Sequence, residues 1–486
     1  MNTEIRNLLP IALWNKFADL NAVPRASKKE EQVRQFIINF GKSLGLETFS
    51  DTVGNVIIRK LATAGMEDRK MITLQSHLDM VHQKNANTDF DFDTQGIEMF
   101  VEENWVKANG TTLGADNGIG VATIMALLES NTIPHPALEA LFTIDEETGM
   151  TGAMGLEANV LKGDILLNLD TEEDDEIDIG CAGGVDVTAE RSYNPKPVPR
   201  GILAYEVLVK GLRGGHSGMD IHKGLGNANK IMNRMLYHGT ENHNVYISEI
   251  DGGGLRNAIP RESFAKIVVD KAHKQDFEKN FDELATTIKS ELLVQEPQLS
   301  ITLSTCKVPE SVMGLGVQEK FLKAVYAAHN GVYAMSPSMS DLVETSNNIA
   351  RISARNGSLK IGCLTRSSVN SAKIDLAHAL KSVFELAGFE VSFSGDYPGW
   401  KPNPDSLILE VLKEQYEILF KEKPKVVACH AGLECGILGQ NYPDMDMISF
   451  GPTIHGAHSP DETVSVASVQ KYWRFVLEIL KNTPKK

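Results

Sequence analysis

The sequence predicts an α/β protein, in which a mixed, mostly parallel sheet is flanked by helices and interrupted by an inserted α+β domain. Two observations lead to this prediction. Short apolar runs alternate with helical patterns over residues 1–190 and again over 397–486, which favours a mostly parallel sheet covered on both faces. Two proline-rich stretches, YNPKPVPRG and SGDYPGWKPNPDS, mark the ends of residues 191–396, where the pattern differs.

Each element of the outer domain follows from a local pattern. Ser27 and Glu30 have the spacing of a capping box and precede an apolar stripe, which predicts a helix. The runs NVIIRK, RKMITLQSH, ALEALFTID and GDILLNLD predict strands, and GIGVATIMALLES between two of them predicts a buried helix. A helix over residues 407–420, further apolar runs and a C-terminal helix complete this domain.

The inserted domain is predicted to contain two similar halves. The stretches AYEVLVKGLRGGHSGMDIHKGLGNANKIMNRML and GSLKIGCLTRSSVNSAKIDLAHALKSVFELAG each read as strand, loop and helix. The two halves share no obvious sequence identity, so this prediction depends only on the order of the elements.

Composition and charge exclude several classes of protein. The 486 residues carry a net charge of −16, which argues against a nucleic-acid partner because such binding depends on clustered Lys and Arg. No apolar run reaches the length of about 18 residues that a membrane span needs, so no membrane association is expected. The N-terminal stretch MNTEIRNLLPIALWNKF predicts an amphipathic helix and no signal peptide. Five scattered cysteines without a C-x-x-C pair predict free thiols and a cytoplasmic location.

Acidic and imidazole side chains follow several predicted strands or open the next helix. They are His77 and Asp79 in LQSHLDMV, Asp116 in TTLGADNGIG, Glu146 and Glu147 in FTIDEETG, Asp170 in LLNLDTEE, and His458 in GPTIHGAHSPDE. Open α/β sheets place their chemistry at the carboxyl ends of strands. The spacing is too irregular for a local zinc finger, so the pattern indicates several strand ends that converge on one site.

Imidazole and carboxylate together suit a divalent metal, zinc first. Two metals need a bridging carboxylate and about two further ligands each. Crowded acids destabilise a fold unless something neutralises them, and a cation would neutralise Glu147 and leave Glu146 free to move a proton. Taken alone, the acidic trio also fits a solvated turn or helix cap, and Asp116 a plain turn. The co-occurrence of five such sites in one chain favours the metal.

These motifs resemble, in order, the dinuclear zinc exopeptidases of the carnosinase and carboxypeptidase G type. The motifs are H-x-D at 77–79, G-A-D-N-G at 114–118, D-E-E-x-G at 145–149, the strand-end Asp170, and H-S-P-D-E at 458–462. The linkers and the inserted domain also fit, so the resemblance covers nearly the whole chain. Each motif is weak alone, but the set is specific.

The resemblance implies a ligand set and catalytic groups. Two Zn²⁺ ions per chain, with Co²⁺ or Mn²⁺ as substitutes, would share Asp116, one taking also His77 and Asp170 and the other Glu147 and His458. Asp79 would orient His77, and Glu146 would act as general base and then as acid.

The resemblance also implies substrate contacts in the inserted domain. His216 in RGGHSG would stabilise the oxyanion. Asn257 and Arg366 would hold the substrate, and Arg366 suits a free C-terminal carboxylate. Gly432 in CHAGLECG would contact the substrate, and His430 and Glu434 are further candidates in the same stretch. The insert is about twice the length of the lid in simpler relatives, which implies that His216 acts within its own chain. A monomer and a homodimer therefore both remain open.

The implied function is hydrolysis of unblocked L-dipeptides, including Xaa-His dipeptides, by zinc-activated water with a Glu general base. A tripeptide aminopeptidase and an N-acyl amino acid deacylase on the same fold are the enzyme alternatives. A non-catalytic binding protein is disfavoured because Glu146 and every ligand are present. A closed structural zinc site is disfavoured because no Cys lies in the motifs.

Overall fold

The computed structural model describes residues 2–486, and the chain forms two compact units. The first unit comprises the chain up to Cys181, together with Trp400–Ala428 and Leu433–Lys486. The second unit comprises Ala182–Gly399 and Cys429–Gly432. The first unit is therefore built from separate stretches of the chain, between which the second unit is inserted.

The strands and helices are numbered in chain order. The strands are β1 (Glu47–Ser50), β2 (Val56–Lys60), β3 (Ile72–His77), β4 (Met99–Glu102), β5 (Trp105–Ala108), β6 (Leu138–Thr143), β7 (Ile165–Asn168), β8 (Glu176–Cys181), β9 (Gly183–Ser192), β10 (Lys196–Pro197), β11 (Ile202–Lys210), β12 (Tyr246–Gly253), β13 (Ser263–Asp270), β14 (Ser300–Thr305), β15 (Ser311–Val312), β16 (Gly331–Met335), β17 (Val343–Arg355), β18 (Ser358–Ser367), β19 (Glu390–Tyr397), β20 (Lys425–Cys429), β21 (Asp446–Ser449), β22 (Ile454–His455) and β23 (Thr463–Ser465). The α-helices are α1 (Ile11–Leu20), α2 (Glu31–Ser43), α3 (Ala115–Glu129), α4 (Glu146–Gly149), α5 (Thr151–Gly155), α6 (Ala228–His243), α7 (Lys274–Glu291), α8 (Leu315–Ala327), α9 (Asn370–Leu386), α10 (Leu407–Phe420), α11 (Glu434–Asn441) and α12 (Val466–Lys481).

The main sheet of the first unit has the strand order β1-β2-β6-β3-β7-β21-β8-β20. Its central strands β6, β3, β7 and β21 are parallel, whereas β1, β2 and β8 pair antiparallel. In register, His77 lies opposite Thr143, and Gln75 lies opposite both Leu141 and Asn168. The segments that follow β3, β6 and β7 therefore leave the sheet at the same edge. The predicted α/β class with a mixed sheet is confirmed.

The central strands are buried because both faces of the sheet are covered. Every residue of β3, β6 and β7 is buried, as expected for parallel strands with a nearly continuous apolar sequence. Helix α3 is apolar on almost all sides and packs against both α1 and β3. The predicted buried helix is therefore correct, and it fixes the start of α3 beside the end of β3.

The predicted capping box of Ser27 and Glu30 is wrong. Helix α2 begins at Glu31, and no side chain caps it. The Ser27 hydroxyl instead donates to the carbonyl of Met80, and a carboxylate oxygen of Glu30 accepts the N–H groups of Lys28 and Asp145. The segment before α2 bonds to the loop after β3, and these tertiary contacts replace the local cap.

The sheet of the second unit has the order β14-β11-β13-β12-β17-β18-β9-β19, and all its neighbours are antiparallel. It contains the same βαββαβ arrangement twice. One copy is β11-α6-β12-β13-α7-β14, and the other is β9-α8-β17-β18-α9-β19. Each copy has the spatial order fourth, first, third and second strand. Two similar halves are therefore present, and the first lies in the chain between β9 and α8 of the other. The two stretches compared in the sequence are not equivalent, however, because β11 and α6 begin one copy whereas β18 and α9 belong to the later part of the other.

One hydrophobic core extends through both halves of the second unit. Helices α6, α7, α8 and α9 contribute apolar side chains to it, together with the strands of both copies. No helix within residues 2–486 is long and apolar enough to cross a bilayer.

Candidate metal centre

Three parallel strands bring the predicted ligands of the first unit to one edge of the sheet. His77 is the last residue of β3, Glu146 and Glu147 open α4 shortly after β6, and Asp170 lies two residues beyond β7. Because β6, β3 and β7 are adjacent and parallel, these side chains meet although the chain separates them widely.

Two loops complete the group. Asp116 lies at the start of α3, where it and Asn117 have non-helical dihedral angles and are joined by a cis peptide bond. His458 lies in the loop between β22 and β23 and has a φ of +67°. Both residues reach the edge where β3 and β7 end.

The ligand atoms form two groups that share Asp116. Those of His77, Asp116 and Asp170 lie within 4.8 Å of one another, as do those of Asp116, Glu147 and His458. One Asp116 oxygen is 3.1 Å from His77 Nε2, and the other is 3.3 Å from His458 Nε2. Each carboxylate oxygen of Asp116 therefore faces a different imidazole, which is the arrangement that a carboxylate bridging two metal ions requires.

The chemistry of these donors fits divalent metal ions. His77 Nε2 lies 3.5 Å from Asp170, and His458 Nε2 lies 2.9 Å from Glu147. Glu147 Oε1 is buried and has no hydrogen-bond partner among the described residues. Buried carboxylates without partners are costly, and mixed imidazole and carboxylate ligands suit zinc and related ions.

Protons balance part of the negative charge. Burial lowers the pKa of His77, but the charge of Asp170 and hydrogen bonds to neighbouring carboxylates outweigh burial and raise the pKa well above its ordinary value. Hydrogen bonds to Asp116 and Glu147 raise the pKa of His458 to about 11. The acids therefore favour the protonated form of both imidazoles, and a metal ion would take the place of these protons.

The carboxylate of Asp79 contacts two parts of the site. Its Oδ1 lies 3.5 Å from Nδ1 of His77, which suits the predicted role of orienting that imidazole. Its carboxylate also accepts the backbone N–H groups of Glu146 at 3.0 Å and Glu147 at 3.3 Å. One buried side chain therefore holds both a ligand and the loop of the two glutamates. The second function was not predicted, because it depends on the pairing of β3 with β6.

Glu146 lies beside the ligands, with a carboxylate oxygen within 4.8 Å of ligand atoms of His77 and Glu147. Burial raises the pKa of Glu146 well above its ordinary value; the charge of His77 acts to lower this pKa, and the charges of Asp170 and Glu434 act to raise it. A carboxyl group with a raised pKa can both accept and release a proton near neutral pH.

Glu434 lies in the interior of the first unit rather than on a substrate-binding surface. Its side chain is fully buried, and one carboxylate oxygen accepts hydrogen bonds from Gln75 at 2.5 Å and Thr143 at 2.7 Å. The side-chain amide oxygen of Gln75 also accepts a hydrogen bond from the amide N–H of Asn168. These polar side chains connect β7, β3 and β6 beneath the ligand-bearing ends of the strands.

The second unit contains the other predicted site residues. Arg366 lies in β18, is 4% exposed, and donates to Tyr397 Oη at 2.8 Å and Ser217 Oγ at 3.4 Å. Its guanidinium lies 3.5 Å from Nε2 of His216. No ion pair joins Arg366 to a carboxylate within residues 2–486. Tyr397 and Ser217 were not predicted, since the pairing of β18 and β19 with β9 brings Tyr397 to Arg366 and the loop after β11 brings Ser217.

Asn257 and Gly432 lie in loops of the second unit. The carbonyl of Asn257 accepts the N–H of Ser217 at 2.7 Å, so its loop adjoins the loop of His216, and its side chain is exposed. Gly432 ends the segment Cys429–Gly432. The backbone N–H of Ala182 donates to the carbonyls of Cys429 and Ala431 and so holds this segment in place.

Comparison with known proteins gives close relatives. The sequence pattern of the peptidase family M20/M25/M40 matches residues 73–482. The cytosol non-specific dipeptidase of Escherichia coli (strain K12) is 43% identical over 485 residues, covering 100% of both chains. The crystal structure of aminoacylhistidine dipeptidase from Vibrio alginolyticus has a TM-score of 0.93 and 42% identity, covering 100% of this chain and 99% of that one. Aminopeptidase PepT from Bacillus cereus, with a TM-score of 0.57, 16% identity and 98% coverage of each chain, shares the fold.

Proposed function

The chain belongs to peptidase family M20/M25/M40, and from this premise we propose that it is a metal-dependent dipeptidase. The resemblance predicted from the motifs is confirmed by relatives that match over the full length. The observation that carries the proposal is the pair of ligand groups that share Asp116, with Glu146, which is not a proposed ligand, beside them.

We propose that Asp116 bridges two zinc ions, with cobalt or manganese as substitutes. His77 and Asp170 would complete one site, and Glu147 and His458 the other. The two oxygens of Asp116, each facing a different imidazole, support this assignment. Two such ions lower the pKa of a water molecule and polarise the peptide carbonyl when bound.

In the proposed mechanism Glu146 moves the proton. A carboxylate oxygen of Glu146 accepts the proton from the attacking water and delivers it to the leaving amine nitrogen. Its position within 4.8 Å of ligand atoms and its raised pKa support both steps. Asp79 keeps His77 and the backbone of Glu146 in place while the proton moves.

The second unit supplies the proposed substrate contacts. Arg366 is a buried cation whose guanidinium contacts hydroxyl and imidazole groups, so it suits the free carboxylate of a peptide. His216 lies 3.5 Å from it and is proposed to stabilise the oxyanion. Asn257 and Gly432 are proposed to contact the substrate.

The proposed substrates are unblocked L-dipeptides, including Xaa-His dipeptides. The Escherichia coli relative is a non-specific dipeptidase, and the Vibrio alginolyticus relative is an aminoacylhistidine dipeptidase. The tripeptide aminopeptidase is less favoured because the two relatives that match over the full length are dipeptidases. A cytoplasmic location, as a monomer or a homodimer, is proposed from the cytosolic relative.

Hydrolysis of an Xaa-His dipeptide beside a matched tripeptide tests the proposal. Both peptides are assayed before chelation, after chelation and after zinc is restored. We expect dipeptide cleavage that is lost and then returns with zinc, and little cleavage of the tripeptide. Cleavage of the tripeptide or of an acetyl amino acid, with none of the dipeptide, would select the alternative hydrolases.

A further inference from the structure

Glu462 holds the loop that leads into Asp116. This carboxylate is 3% exposed and lies four residues after His458. It accepts four consecutive backbone N–H groups, those of Leu113 at 2.7 Å, Gly114 at 2.9 Å, Ala115 at 2.7 Å and Asp116 at 3.2 Å. Through Glu462, the loop that contains His458 is therefore bonded directly to the loop that contains Asp116.

Arg25 holds the same loop from another direction. Its guanidinium is 2% exposed and donates to the carbonyl of Gly114 and to Asn21 Oδ1. It also donates to the carbonyls of Leu78 and Asp79, each at 3.2 Å, immediately after His77. Arg25 therefore joins the end of β3 to the loop before Asp116.

The glycines of the G-A-D-N-G motif make room for Arg25. Gly114 has a φ of +69°, and a Cβ atom there would lie 2.3 Å from Nη2 of Arg25. A Cβ atom on Gly118 would lie 2.7 Å from the same nitrogen. A Cβ atom at either position would therefore require the guanidinium of Arg25 to shift.

Three segments that carry ligands are connected by two side chains that are not ligands. A capping role for Glu462 alone would stabilise the start of α3 and nothing more. Arg25 makes the additional connection to the segment after His77, although it lies outside residues 73–482 that the family pattern matches. The two side chains together fix the backbone on each side of the shared Asp116.

We propose that Arg25 and Glu462 are positioning residues that hold Asp116 where its carboxylate bridges the two metal ions. This proposal rests on the proposed dinuclear centre. In Glu462→Gln, one of the two acceptor oxygens becomes an amide NH₂, so two of the four backbone donors lose their partner. The backbone at Asp116 then relaxes, and the bridge weakens. Residues that support metal ligands are typically worth about 10–100-fold in metal affinity.

Cobalt loading tests the proposal without depending on activity. The chelated wild-type protein and E462Q are titrated with Co²⁺, the bound ions are counted by elemental analysis, and electron paramagnetic resonance reports magnetic coupling between the two ions through a shared carboxylate. We expect two coupled ions in the wild type. In E462Q we expect a folded protein in which the magnetic coupling is lost and the affinity for the second ion falls about 10-fold or more.

Glu139→Gln is the matched control. Glu139 is also a buried carboxylate that accepts backbone N–H groups, those of Lys162 and Gly163, but it lies at the opposite end of β6. This variant should unfold at a lower temperature and keep two coupled ions. Equal coupling and equal affinity in E462Q and the wild type would overturn the proposal.

Arg25→Lys provides a second variant if E462Q does not fold. Lysine keeps the charge but replaces the planar fork with one ammonium group. We expect weaker coupling and a lower kcat with an unchanged KM for a dipeptide, and unchanged coupling would overturn the proposal. A wild-type protein that binds fewer than two ions, or two uncoupled ions, would instead show that the dinuclear centre itself is wrong.

Discussion

The two units of this protein each bring charged groups together in a buried place, and the sign of the predominant charge differs between them. In the first unit, Asp116, Glu147 and Asp170 meet around two imidazoles. In the second unit, Arg366 is buried among hydroxyl and imidazole groups and forms no ion pair within residues 2–486. The first site therefore suits cations and the second suits an anion.

Buried charge elsewhere in the chain is treated differently. Glu139 is fully buried, and Arg59 pairs with it at 2.8 Å. Lys373 is almost fully buried, and it pairs with Asp396 at 2.6 Å. These two buried charges lie away from the candidate sites, and each is paired with a side chain of opposite sign. The comparison teaches that the excess negative charge around Asp116 and the positive charge of Arg366 each suit a ligand of opposite sign.

The largest expected effect is that of Glu146→Gln. This change removes the proposed base and leaves the ligands, so kcat should fall by about 10²–10⁴-fold while both metal ions remain bound. Steady-state kinetics and elemental analysis of the same preparation check both statements. The neighbouring Glu147→Gln is the matched control, and it should lose a metal ion as well as activity. If Glu146→Gln kept more than a tenth of the wild-type kcat, Glu146 would not be the general base.

A smaller effect is expected from Arg366→Met, which tests the cationic site of the second unit. Removing a charge-assisted contact with the substrate carboxylate should raise KM for a dipeptide about 10- to 100-fold. The wild type should already bind a C-terminally amidated dipeptide weakly, and the variant should lose little more on it. Arg351→Met removes an arginine that pairs with Asp251, and its KM should not change. Equal losses on the free and the amidated substrate would count against carboxylate binding.

The last effect is on stability rather than on activity, and it concerns Glu434 and the pH dependence of unfolding in the metal-free protein. Burial raises the pKa of Glu434 to about 8, above its ordinary value of 4.5. The unfolded chain therefore releases this proton first, and the free energy of unfolding falls as pH rises from about 5 through 8, by at most about 1.4 kcal/mol per pH unit. In Glu434→Gln, which can still accept the bonds from Gln75 and Thr143, this contribution should vanish.

Urea unfolding of the chelated wild type and Glu434→Gln at several pH values measures that difference. Thr143→Val is a control, since it removes a partner and leaves the carboxyl group. Parallel pH profiles for the wild type and Glu434→Gln would show that Glu434 does not carry the proton.

The ligands of the first unit were predictable because each follows a local pattern. An apolar run ends at His77, another ends before Glu146, and a third ends before Asp170, and parallel strands bring such ends together. The start of α3 beside the end of β3 places Asp116 in the same way.

The features that the sequence did not predict depend on contacts between distant segments. Glu462 holds residues 113–116, Tyr397 bonds to Arg366, and Glu434 lies beneath the strands. In each case the partner is decided by strand pairing or loop packing, which no local pattern contains. The predicted capping box of Ser27 is wrong for the same reason, because the Ser27 hydroxyl donates to the carbonyl of Met80 instead.

Counting the metal ions of the first unit tests the central claim most directly. The chelated wild-type protein is titrated with zinc by calorimetry, and bound zinc is measured by elemental analysis after dialysis, with dipeptide hydrolysis followed at each ratio. We expect two ions per chain, with hydrolysis complete only when both are bound. One ion per chain, or full hydrolysis with none, would contradict the account of two ions that share Asp116.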